Sequence, residues 1–162
     1  MKKVIPLVFV AWVSIISATQ AQISKISTYH DKIKGISAKE SDEIKYLFFG
    51  AAKRIGLKED AVQNKLPEVL TLDFNQIGKL NTLIDKNGFQ NIKVIDIKVD
   101  AVKPIDISPT DLALFPLLKF ILIKSYEQIS IEEIKTMLRS LLSSENVSDQ
   151  IEVVFYKMER AS

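Results

Sequence analysis

Two stretches decide the fold: Ile92-Lys93-Val94-Ile95-Asp96-Ile97-Lys98-Val99 and Leu117-Leu118-Lys119-Phe120-Ile121-Leu122-Ile123-Lys124. Each is a short run of branched, aliphatic and aromatic side chains, and the second is apolar on both alternating faces. That pattern fits strands covered on both sides of a sheet. Working outward, Val69 to Phe74 and Ile151 to Met158 read as two further strands. Helical segments fall between the four. The first is Gln76 to Lys86, ended by Asn87-Gly88. The second is Pro109 to Leu114, opened by Ser108 with proline at the first helical position. The third is Ile131 to Leu142, where Ser130 and Glu133 have capping-box spacing and Ile134, Leu138, Leu141 and Leu142 form an apolar stripe. Strands alternating with helices predict an α/β domain of four mostly parallel strands with helical crossovers.

Upstream, Ser37-Ala38-Lys39-Glu40 also has capping-box spacing. Ile44, Leu47, Phe48, Ala51 and Ile55 recur at helical intervals before Gly56, which predicts an amphipathic helix over Ala38 to Ile55. Residues 22 to 36 have few apolar positions in phase and read as a flexible leader, so the single domain is expected over residues 37–162.

The strand runs share a spacing. Val69-x-x-Leu72-x-Phe74, Ile92-x-x-Ile95-x-Ile97, Leu118-x-x-Ile121-x-Ile123 and Ile151-x-x-Val154-x-Tyr156 superimpose without gaps. Leu66, Phe89 and Phe115 stand three positions before three of them, with Pro67 and Pro116 matching in two. The offsets between first positions are 23, 26 and 33 residues, the first two within the range of leucine-rich repeats. In its L-x-x-L-x-L signature, Leu66 to Met158 resembles that family in a degenerate form. The family's asparagine or cysteine position holds Ile77, Asp100, Tyr126 and Glu159 here, so the side-chain ladder between coils is missing.

The resemblance implies a short solenoid whose second, concave sheet face binds partners. By the aligned signatures that face carries Thr71 and Asp73, Val94 and Asp96, Phe120 and Leu122, Val153 and Phe155. Its apolar end makes Phe120, Leu122, Val153 and Phe155 the candidate residues for binding a protein or a small apolar ligand. An uncovered patch of that size would exceed what monomers usually expose. The alternative architecture is a closed α/β sandwich, in which the Ala38 to Ile55 helix folds back over the sheet and the patch is core. The C-terminal strand is expected at a sheet edge, where unpaired backbone can recruit another strand.

The chain opens Met1-Lys2-Lys3, continues through an apolar stretch from Val4 to Ile16, and reaches Ser17-Ala18-Thr19-Gln20-Ala21-Gln22. Charged, apolar, then small is the order of a secretory signal peptide, with cleavage expected near Ala21-Gln22. A helix over the apolar stretch would span roughly 20 Å, short of the ~30 Å hydrocarbon core. A periplasmic or secreted product without stable membrane insertion after cleavage follows. Removing Lys2 and Lys3 leaves 20 basic residues against 20 acidic ones. Nucleic acid and anionic membranes thereby lose compositional support as partners.

Chemistry-bearing motifs are few. There is no cysteine, and His30 is the sole histidine, read as a solvated surface residue. No phosphate-loop, dinucleotide or serine-hydrolase motif follows a strand, so no cofactor is indicated. Asp42-Glu43, Glu59-Asp60 and Glu132-Glu133 are paired acids, but the first and last lie near helix starts, where acids favour the dipole. The sequon Asn146-Val147-Ser148 matters only in a glycosylating host. These readings favour an exported, noncatalytic interaction or binding protein of the cell envelope. The alternative is an exported hydrolase using Asp100, Asp106 and Asp111 near the carboxyl ends of the strands.

Overall fold

The computed structural model describes residues 26–56, 66–83, 89–142 and 151–160. The expected signal peptide and the sequon lie outside them, as do Glu59-Asp60 and Asn87-Gly88. Six strands form one sheet in which every neighbouring pair is parallel: β1 (Ile26–Thr28), β2 (Arg54–Gly56), β3 (Val69–Asp73), β4 (Val94–Lys98), β5 (Phe120–Ser125) and β6 (Glu152–Lys157). Their order is β1-β6-β5-β4-β3-β2, so the chain starts at one edge, crosses to the other and returns strand by strand.

The crossover is made by α1 (Tyr29–Lys34) and α2 (Ala38–Phe49), capped by the Thr28 and Ser37 side chains respectively. Ile44, Leu47 and Phe48 of α2 pack with Ala52 on Val69, Val94, Phe120, Leu122 and Val154. The helix therefore folds back over the sheet. The opposite face is covered by the return connections: 3-10 turns at Phe74–Leu83 and Phe89–Asn91, then α3 (Pro109–Leu112), α4 (Ile131–Met137) and α5 (Arg139–Leu142). Their side chains, among them Ile77, Leu80, Phe115, Ile134 and Leu138, join Leu72, Ile97 and Ile123 in the larger core. The domain is an α/β sandwich with apolar residues on both faces of its inner strands.

Four expectations are corrected. Residues 26–34 are not a loose leader: Ile26 is buried and β1 pairs with β6, because a three-residue edge strand needs no long apolar run. That pairing also moves β6 inside the sheet rather than to its edge. The helix expected to reach Ile55 stops at Phe49. A Cβ at Gly50 would lie 2.8 Å from the Tyr46 carbonyl oxygen, while the Gly50 N–H closes the last turn on Lys45 and Tyr46. Ile55 belongs instead to β2, which brings the strand count to six.

The fourth correction concerns register. Ile95 and Ile97 pair with Ile121 and Ile123, as the aligned signatures have it. On β3, however, their partners are Leu70 and Leu72, a slip of two that preserves the faces. On β6 the partners of Ile121 and Ile123 are Val153 and Phe155, a slip of one. Since side chains alternate with a period of two, one residue of slip moves a strand's whole apolar set to the other face.

Candidate functional site

That slip divides the four candidate partner-binding residues. Phe120 and Leu122 lie under α2, whereas Val153 and Phe155 lie in the core beneath the return connections. They are 7%, 0%, 3% and 3% exposed, so the patch they were expected to form is neither continuous nor open in the folded chain. Clefts lie instead at the two ends of the strands.

At the amino margin, Lys53, Glu68, Lys93 and Lys119 each carry the backbone carbonyl that accepts from the start of the next strand. Their charges are largely engaged. Lys93 Nζ is 2.7 Å from Glu68, whose other oxygen accepts from the Tyr46 hydroxyl at 2.9 Å. The Lys93 ammonium holds the Glu68 carboxyl below its usual range, and the carboxylate in turn raises Lys93. A cleft of about 410 Å³ lies here between α2 and the starts of β5 and β6. Its charged walls pair among themselves and with Lys32: Lys119 with Glu43 at 2.8 Å, and Lys32 with Glu152 at 2.8 Å and Glu40 at 3.5 Å. The Lys119 contact lowers the Glu43 carboxyl. This is an ion-pair seam fastening α1 and α2 to the sheet.

Under the carboxyl end of α2 lies a second closed network. Asp96 on β4 is buried and takes Arg54 of β2 and Lys124 of β5, each at 2.7 Å. Arg54 also donates to the carbonyl oxygens of Leu47 and Phe48 in the last turn of α2, where a cation meets the negative end of the helix. Lys124 lies 5.6 Å from the centre of the Phe49 ring. Among the described residues no buried polar side-chain atom is left without a partner.

The carboxyl ends of β3 and β4 differ. A cleft of about 300 Å³ opens there, lined by Asp73, Phe74, Asn75, Lys98, Asp100, Ala101 and Lys103. The β3–β4 register sets Asp73 directly opposite Lys98. Among the described residues no ion pair is made by Asp73, Lys98, Asp100 or Lys103, although charges at neighbouring strands pair elsewhere in the sheet. The Lys98 ammonium sits instead 5.3 Å from the Tyr126 ring, which Arg160 also approaches at 5.9 Å. Cation–ring attraction of this kind holds Lys98 without neutralising it.

Of the sequence-selected acids, only Asp100 lines this cleft. Asp111 is committed to the α3 capping box with Ser108, and Asp106 lies exposed on the connector. Glu132 pairs with Lys135 and Glu133 caps α4 through Ser130, as their helix-start positions predict. His30 is exposed on α1. No group of three or more His, Cys, Asp or Glu among the described residues could hold a metal ion. Lys98, Asn75 and Lys103 were not singled out from sequence, and Asp73 was named only as a position on the expected concave face. The signal was present in the polar residues at the carboxyl ends of successive strands, Asp73, Lys98 and, one residue before the last of β5, Lys124, which share one register row.

Fold and cleft together define the class: an open, all-parallel α/β domain with a polar cleft at the carboxyl ends of its strands. Compared with family models, curated proteins and solved structures, the chain matches none. No helix among the described residues is long and apolar enough to cross a membrane.

Proposed function

We propose that this chain is an exported, noncatalytic binding protein of the cell envelope, and that its ligand enters the cleft at the carboxyl ends of β3 and β4. The observation that carries the reading is the contrast between the ends of the sheet. Apolar faces are covered by α2 and the return connections, and at the amino margin Glu68 pairs with Lys93 and Glu43 with Lys119, whereas Asp73, Lys98, Asp100 and Lys103 line an open cleft and make no ion pair among the described residues. The order of charged, apolar and small residues before Gln22 supports export.

The test is a titration of the isotopically labelled mature chain with small polar compounds, following backbone amide resonances. Saturable shifts confined to residues 73–75 and 98–103 are expected, with each compound recovered chemically unchanged. A flat response at those amides would overturn the site, and steady product formation would overturn the noncatalytic assignment.

A further inference from the structure

We infer that the cleft takes a small zwitterion, a molecule of amino-acid to dipeptide size bearing both a free carboxylate and a free ammonium group. This rests on the binding reading above and adds the ligand's chemical class. Two observations carry it. First, the residues that line it carry between them two carboxylates and two ammonium groups, one of these resting on the Tyr126 ring, together with the Asn75 amide, which both donates and accepts. Such a wall favours neither a simple anion nor a simple cation, but it complements a molecule presenting both charges.

Second, the opposite charges are neighbours and yet remain apart. Asp73 and Lys98 face each other across adjacent strands, the arrangement in which opposite charges ordinarily meet. The same sheet pairs Asp96 with Lys124 and Glu68 with Lys93 at 2.7 Å. Lys98 is drawn to the Tyr126 ring, leaving Asp73 without a cation. A ligand ammonium can enter beside Asp73 or Asp100 while its carboxylate meets Lys98 or Lys103. Charge-assisted hydrogen bonds at both ends then fix its orientation. The volume, about 300 Å³, lies at the small end for ligand sites, which limits the occupant to one or two residues' bulk.

The experiment compares three probes by the same amide titration: L-alanyl-L-alanine, N-acetyl-L-alanine, which lacks the ammonium, and L-alaninamide, which lacks the carboxylate. The dipeptide is expected to bind at least about tenfold more tightly than either capped compound, the scale of one lost charged hydrogen bond. Lys98→Gln should weaken the dipeptide by a similar factor and leave L-alaninamide unchanged. Asp73→Asn should weaken the dipeptide and leave N-acetyl-L-alanine unchanged. Both positions are exposed, so each variant should keep the unmodified chain's melting midpoint. Equal binding of all three probes, or shifts outside the cleft, overturns the zwitterion. If glucose or inorganic phosphate moves the cleft amides while the dipeptide does not, the ligand class fails and the cleft stands. Silence with every probe removes both.

Discussion

Asp96 is the residue on which the α2 face depends most heavily. Its buried carboxylate is the shared partner of Arg54 and Lys124, and Arg54 in turn closes the last turn of α2. Asp96→Ala would take the shared carboxylate from two partly solvated cations, of which Arg54 keeps the Leu47 and Phe48 carbonyls, and losing such charged hydrogen bonds costs about 2 kcal/mol. Urea denaturation should register a loss of that size, whereas Asp96→Asn, which retains an acceptor, should lose less. A milder effect is expected at Glu68. Its folded-state pKa is lowered, first by the Lys93 hydrogen bond, so its contribution is present above the unfolded carboxyl value of about 4.3 and disappears as pH falls through the folded value. Both side chains are partly solvated, which keeps the contribution below about 1 kcal/mol. Glu68→Gln should therefore lower the melting midpoint slightly at neutral pH and match the unmodified chain in strong acid. An unchanged gap across the whole pH range would remove the linkage.

At the scale of elements, legibility followed length. The inner strands announced themselves because runs such as Phe120, Ile121, Leu122 and Ile123 are apolar on both faces, as cover on both sides requires. β1 and β2 are three residues each, and Ile26-Ser27-Thr28 and Arg54-Ile55-Gly56 contain too few positions for a period to be read. The slip on β6 has another cause. Val153, Val154 and Phe155 are all buried, so two registers offer equally apolar faces, and the neighbouring strand decides between them. The cleft was hidden because its residues gain meaning from the pairing of β3 with β4, which spacing along the chain does not reveal. One consequence of β1 can be checked directly. Deleting residues 22 to 34 removes β1 and α1, exposes the edge of β6, and takes Lys32 from Glu152. Size-exclusion chromatography should then show self-association through the bared strand, while a monomer as stable as the full chain would count against the role given to β1.

The molecule as a whole builds its core without cysteine. If export proceeds as proposed, N-terminal sequencing of the product recovered outside the cytoplasm should begin at Gln22, only four residues before β1 starts. Recovery of an intact Met1 terminus would defeat that proposal.

The pairing of β1 with β6 then acquires a meaning in time. Ile26 meets Val153, so in a chain exported as proposed the first strand to leave a membrane pore would wait for the last one described. Contacts between such distant parts of a chain form slowly, since loop closure comes before any reward. A polypeptide threaded from its N-terminus would remain unable to complete its sheet until nearly all of it had passed through. In a chain exported as proposed, the topology itself would thus delay folding until transit is over.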